Sequence, residues 1–294
     1  MKKTLIIGPT YIDIISNVKE LPKGNEDINI LSSFQNVSGS GYHAAILYNN
    51  LNFDYDLISP IGEGIYAQEI QQQAQVDNIQ LNYHIDTMNG CTYTLQDTNK
   101  ETSRFIMPGA EYEFDRNFTE DIYPDEIKQV LLFGDMLTGS QESVNDLCVT
   151  LEDLDKPILF VPNNRSQDIL DSVLDFVLMS HAIVITTDTE AYYLANEYSG
   201  EMRDVATHLN EMTNNTMIIV KQGEGIFVKE NEDSYFVDHI DHIDMDTLTT
   251  FYTVALECGI DHKNAIMFAS EYSSNKDNDY DEVKQRLTHF ITLK

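Results

Sequence analysis

Ser38-Gly39-Ser40-Gly41-Tyr42-His43-Ala44-Ala45 ends a polar, loosely alternating segment and opens an apolar one. Glycine at every second place lets the backbone come close to a neighbour or a ligand. The helix start that follows leaves N–H groups free for an oxygen-rich partner. Upstream, residues 4–7 form an apolar run that stops at Gly8-Pro9, the pattern of a buried strand followed by a turn. Leu21-Pro22-Lys23-Gly24-Asn25-Glu26-Asp27 is a polar loop, and 28–37 alternates as a strand with one exposed face. Downstream, 44–51 is predicted helical, 55–58 extended and 68–78 helical.

Two β segments follow, over 92–96 and 103–107, joined by the hairpin-type connection Asp97-Thr98-Asn99-Lys100-Glu101. Strands are then predicted at 129–133, 157–161, 182–186 and 216–220. Between and after them lie helices at 142–153, 168–179, 190–197 and 203–212. After a final hairpin, helices at 248–257, 262–270 and 281–293 complete the chain. Strand-helix alternation of this kind predicts parallel βαβ units in a doubly wound α/β sheet.

The 294 residues suffice for one large α/β domain, with apolar content of 42% enough for an ordinary core. No stretch has the length and apolarity of a membrane span, and the start is too short for a signal peptide, so no membrane partner is expected. Cys91, Cys148 and Cys258 are scattered without metal-ligand spacing, which fits a reducing cytoplasm. The formal net charge of −31, from 49 acidic and 18 basic residues, repels nucleic acid and anionic membrane over a ~8 Å screening length. A nucleotide would have to be held by a few well-placed cations or by Mg²⁺.

The opening stretch resembles a known family once its neighbours are added. Gly8-Pro9-Thr10-Tyr11-Ile12-Asp13, Glu20-Leu21-Pro22-Lys23-Gly24 and Ser38 to Ala45 occur in the order and spacing of the ribokinase-like (PfkB) carbohydrate kinases. Ile61-Gly62-Glu63-Gly64, Asp77-Asn78-Ile79, Gly90-Cys91-Thr92-Tyr93-Thr94 and Arg104-Phe105-Ile106-Met107-Pro108-Gly109-Ala110 continue the match. The resemblance implies a single ribokinase-like domain over 1–294, a mostly parallel sheet flanked by helices, and a small β lid inserted from about 14–37 and 90–108. It also implies a homodimer through the lid strands, whose exposed edges favour pairing.

The resemblance implies site residues too. Asp13, at the end of the first strand, would bind substrate hydroxyls, two of which a carboxylate can hold at once. Gly39, Gly41 and His43 match the substrate loop, with His43 where the family commonly has Asn, and Arg104 would reach a substrate anion from the lid. Val161-Pro162-Asn163-Asn164-Arg165 resembles Asp-Pro-Asn-x-Arg, which puts Asn163 and Arg165 near phosphate. Thr187-Asp188-Thr189-Glu190 resembles Asn-x-x-Glu, in which Glu190 would organise Mg²⁺ and phosphate through water. Lys221-Gln222-Gly223-Glu224-Gly225 resembles the nucleotide loop, so Lys221, Gly223 and Gly225 would contact ATP or ADP, although the glycines stand one residue closer together than in the family.

Relatives end with Gly-Ala-Gly-Asp and, after one residue, Phe. The glycines bare backbone N–H groups to the transferring phosphoryl group, and the aspartate accepts the hydroxyl proton. Matching on Phe251 puts Asp246-Thr247-Leu248-Thr249 over these four positions, with Thr249 at the base position. Asp246, one turn upstream, is then the candidate base, or simply the helix N-cap. Asp238-His239-Ile240-Asp241-His242-Ile243-Asp244 has a three-residue repeat that fits neither a strand face nor a helical stripe, so it is not read as a metal site. Three functions stay open: an ATP- and Mg²⁺-dependent kinase of a sugar or nucleoside hydroxyl, a silent sensor or partner subunit that binds such ligands, or an interaction scaffold with neither ligand, for which the sequence offers only its acidic surface.

Overall fold

The computed structural model describes residues 2–196, 200–238, 241–274 and 278–292. β1 (Lys3–Ile7) is buried from Thr4 onward. The chain turns at Gly8-Pro9 into β2 (Tyr11–Val18) and returns antiparallel as β3 (Ile30–Ser38). α1 (Ser40–Leu51) then begins four residues before the predicted start. Its N-cap Gly39 has φ 115°, and a Cβ there would sit 2.3 Å from the Pro9 carbonyl oxygen. A Cβ at Gly41 would sit 2.4 Å from the Gly8 carbonyl oxygen. These approaches clamp α1 onto the β1–β2 turn, so both glycines of the opening stretch are packing requirements.

β4 (Tyr55–Ile58), β5 (Ile61–Glu63), α2 (Gly64–Val76), β6 (His84–Met88), β7 (Cys91–Gln96) and β8 (Thr102–Met107) follow. Beyond several short 3₁₀ turns come β9 (Ile127–Phe133), α3 (Gln141–Leu154), β10 (Ile158–Val161), α4 (Asp171–Met179), β11 (Ile183–Thr187) and α5 (Asp188–Leu194). α6 (Met202–Thr213), β12 (Met217–Lys221), the hairpin strands β13 (Gly225–Glu230) and β14 (Asp233–Asp238), then α7 (Met245–Glu257), α8 (His262–Tyr272) and α9 (Tyr280–Thr292) complete the order. Glu197 and Leu293, the predicted ends of two helices, lie outside the described residues, as does His239 of the Asp–His repeat.

The large sheet has the order β14-β13-β12-β11-β10-β9-β1-β4, parallel from β12 to β4 and antiparallel at β13 and β14. The chain runs outward from β1 to β4 on one side and from β9 to β14 on the other. The switch in direction therefore lies between β1 and β9, where doubly wound sheets open a crevice at the strands' carboxyl ends. Strand residues alternate between two apolar layers. Ile6, Leu131, Leu159 and Ile185 join one core with α1, α7 and α8, while Leu5, Leu132, Phe160 and Val184 join the other with α3, α4 and α6.

A second sheet, β3-β2-β7-β8, is built from the two hairpin-like segments of the N-terminal part. Ile12 and Cys91 on one face pack against Ala67 and Ile70 of α2. The pairings Asp13–Thr92, Thr92–Ile106 and Thr94–Arg104 gather the other face. Asp13 thus lies within β2 rather than at the end of the first strand. Gly8-Pro9 ends β1, and the alternation Tyr11-Ile12-Asp13-Ile14 starts a new strand in the second sheet.

Candidate functional site

Between the second sheet and the carboxyl ends of β9, β10 and β11 lies a cavity of about 290 Å³. Three helices aim their first turns at it, α1 with Ser40, α5 with Glu190, and α7 with Met245 and Asp246. Of the residues expected at a site, Asp13, His43, Arg104, Asn163, Arg165, Glu190 and Asp246 all line this one cavity. Gly39 and Gly41 stand behind it, and Lys221, Gly223 and Gly225 lie outside its lining.

Asp13 is buried and accepts a hydrogen bond from the Thr94 hydroxyl at 2.8 Å across β2 and β7. Arg104 projects from β8 over the same face and, among the described residues, forms no salt bridge. His43, one turn into α1, reaches across to α7, where its Nδ1 donates to the Asp246 carboxylate at 2.7 Å. Its Nε2 faces the Ser38 hydroxyl at 3.4 Å. Burial alone would lower the imidazole's pKa. The Asp246 hydrogen bond and the charges of Asp246, Asp244 and Asp13 outweigh it and hold His43 above its ordinary range.

The start of α7 corrects the sequence expectation. The N-cap is Asp244, whose carboxylate accepts the Thr247 N–H at 2.8 Å, so the helix begins about one turn before residue 248. Asp246 needs no capping role, and its carboxylate is left to face His43 and the cavity. Leu248 and Thr249 are fully buried on the helix's core side, and the Thr249 hydroxyl has no hydrogen-bond partner. Of the amides where relatives bare a glycine-rich turn, Thr247's is taken by the Asp244 carboxylate and Leu248's by the Asp244 carbonyl.

At the opposite wall, Asp135 follows β9 in a short 3₁₀ turn and accepts from Asn163 Nδ2 at 2.9 Å. Burial raises its carboxyl pKa to about 6 against the opposing pull of Asn163 and Arg165. Arg165 is tied down. Its Nε donates to Asp168 at 2.7 Å, another nitrogen lies 3.6 Å from Asp135, and its guanidinium sits over the Tyr112 ring at 5.4 Å. Glu190 is buried and accepts from the Ser166 hydroxyl, while its own N–H is capped by the Thr187 hydroxyl at the start of α5. Sequence reading missed Asp135. The signal was available in Phe133-Gly134-Asp135, an acidic residue just past a buried strand that ends at the crevice.

The loop after β12 turns into a closed hairpin instead of reaching the cavity. The Glu224 N–H bonds to the Lys221 carbonyl at 3.1 Å, and the Lys221 ammonium pairs with Glu224 at 2.7 Å. Gly223 takes φ 77°, as the turn requires, and a Cβ at Gly225 would strike the Val237 carbonyl oxygen at 2.3 Å. Gln222 fastens this turn to α7's approach, donating to the Ile243 carbonyl at 2.8 Å and accepting its N–H at 2.9 Å. Three buried carboxylates line the cavity, Asp13, Asp135 and Glu190, and the last, in the first turn of α5, is the one expected to organise Mg²⁺. A hard carboxylate oxygen there fits a cation held largely by water and phosphate. Among the described residues the single three-ligand group is Glu63, His84 and Asp86, which is exposed and away from the cavity.

The sequence profile of the pfkB family carbohydrate kinase matches residues 1–249. An uncharacterized sugar kinase of Escherichia coli (strain K12), YegV, is 22% identical over 237 residues, covering 79% of this chain and 73% of that protein. The ribokinase of Thermotoga maritima superposes with a TM-score of 0.79 at 14% identity, over 99% of this chain and 100% of its own. The ribokinase of Arabidopsis thaliana, solved with ribose and ATP, gives 0.75 at 15% identity over 100% and 99%. Such likeness in structure establishes the ribokinase-like fold.

Proposed function

The chain belongs to the pfkB family of carbohydrate kinases, and from that premise we propose that its cavity binds a sugar or nucleoside through hydroxyl groups while phosphoryl transfer is disabled. The first turn of α7 carries this reading. The Thr247 amide is capped by Asp244, the Asp246 carboxylate is engaged by His43, and Thr249, at the base position by motif matching, is sealed in the core. Loss of a general base costs ~10²–10⁴-fold and loss of one anion-hole donor ~10²–10³-fold. The side of the cavity suited to hydroxyls is well furnished, with Asp13, Asp135, Asn163, Ser40 and Arg104. The side suited to phosphates is poor in free cations, because Arg165 and Lys221 are paired with acids.

Calorimetric titration with ATP·Mg²⁺ and with a panel of sugars and nucleosides, run beside an ADP-release assay, tests the proposal. The expected result is sugar or nucleoside binding without sugar-dependent ADP release. Robust turnover would overturn it and favour a second reading, an active kinase with Asp246 as base, motivated by its carboxylate lining the cavity. In that case Asp246→Asn would abolish release. Mg²⁺ arriving with ATP would neutralise phosphate charge, and Glu190 is the residue that would hold it through water. The second sheet serves in this reading as a lid and as the surface of a homodimer in the cytoplasm. The large negative charge leaves no role for nucleic acid or anionic membrane.

A further inference from the structure

Ser38, His43 and Asp246 stand in a chain of two contacts that phosphoryl transfer does not use. The Asp246 carboxylate can only accept, so the proton between it and His43 resides on Nδ1. In the neutral imidazole Nε2 is then an acceptor, and the group it faces at 3.4 Å is the Ser38 hydroxyl. Carboxylate on Nδ1 and serine on Nε2 is the arrangement by which an imidazole activates a serine, and it is recognised by geometry rather than chain order.

Three separate elements hold the trio. Ser38 ends β3, fixed by its pairing with Tyr11 of β2, His43 lies in α1, and Asp246 lies in the first turn of α7. All three line the cavity. The N-terminus of α1 begins at Ser40, two residues past Ser38, and its N-cap Gly39 brings no side chain to the first amides. Those amides and the helix dipole favour negative charge developing next to Ser38.

We propose that Ser38, His43 and Asp246 form a nucleophilic triad that hydrolyses a small carboxylic ester in the cavity. Ser38 Oγ bonds to the ester carbonyl carbon as its proton passes to His43 Nε2. The bond from that carbon to the alkoxy oxygen breaks as His43 returns the proton to the leaving oxygen, giving the free alcohol and an acyl-Ser38. Water then attacks the acyl carbon with His43 again taking and returning a proton, which releases the carboxylic acid and restores Ser38. No oxidant or metal is required. Assignment of the alcohol as a polyol rests on the hydroxyl-binding reading above, whereas the triad itself does not.

The test uses the full chain with a fluorophosphonate probe and with p-nitrophenyl acetate, neither of which is a polyol, so a failed sugar titration leaves it intact. Peptide mapping is expected to place the phosphonyl adduct on Ser38. Ester turnover is expected to fall at least ~100-fold in Ser38→Ala and in His43→Ala. Asp246→Asn should lower it as well, since the wrong tautomer then becomes available. No adduct on the wild-type chain under conditions that label a known serine hydrolase would overturn the proposal without any variant. So would an adduct on Ser40, or turnover unchanged in a folded Ser38→Ala protein.

Discussion

His43 and Asp135 line one cavity, with charge states shifted by different causes. His43 faces Asp246 and Asp244 from α7 and Asp13 from β2, and these outweigh its desolvation. A folded pKa above the unfolded one means that the pair's contribution to stability is full below the ordinary histidine range and is lost as pH rises through the folded value. NMR titration of the His43 ring is expected to give a pKa above ~6.5, and Asp246→Asn to bring it down. A value below 6.5 in the wild-type chain would count against the ion pair. Asp135 is raised from 3.8 to about 6 by burial, so its ionised form is disfavoured in the folded protein. Its contribution to stability is therefore fully present below about pH 4 and lost as pH rises past 6. Asp135→Asn keeps an acceptor for Asn163 and leaves Arg165 its Asp168 partner. Urea melts should show the variant gaining on the order of 1–3 kcal/mol over wild type at pH 8 and nothing at pH 4. A gain equal at both pH values would refute the assignment.

Helix α7 is where reading a sequence and seeing a structure part company. Strands such as β4 and the hairpin strands β7 and β8 were legible because apolar alternation and turn residues mark them within a residue or two. So was the gathering of His43, Asn163 and Glu190, because each sits just past a strand or at a helix start, whereas Asp13 reaches the same cavity from within β2. The start of α7 was not legible, because Asp244 and Asp246 are both sound N-caps by residue type. The hydrogen bond to Thr247, together with the competing claim of His43 on Asp246, decides between them. Motif matching on Phe251 carried Thr249 into the cavity on paper, whereas a helix begun one turn earlier turns it into the core. Thr249→Val should accordingly stabilise the protein by ~1 kcal/mol, since it removes a buried hydroxyl that has no partner. Thr249→Asp, which restores the family's residue, should cost several kcal/mol by burying a carboxylate and should restore no ADP release. Recovery of kinase activity in Thr249→Asp would overturn this placement of α7.

At the scale of the whole molecule, charge and exposed apolar surface pull in opposite directions. With a net charge of −31 per chain, two copies repel each other, and that repulsion is screened within ~8 Å at physiological salt. Against it stands the second sheet, whose edge strands β3 and β8 expose Phe34 and Ile106 at 50% and 41% on the face that bears Asp13. Unpaired strand edges beside apolar side chains invite a second copy. A dimer joined there would place a second sheet against each cavity mouth and bury Phe34 near the interface. Sedimentation equilibrium at micromolar concentration is expected to give twice the 33.6 kDa of one chain. Association should strengthen with added salt, because screening removes the repulsion and leaves the apolar contact. Phe34→Asp should shift the protein to monomer with its thermal melt little changed, since Phe34 supports nothing in either main core. A wild-type chain that stays monomeric at high salt, or a Phe34→Asp chain that still dimerises, would show that the lid edges do not carry the contact.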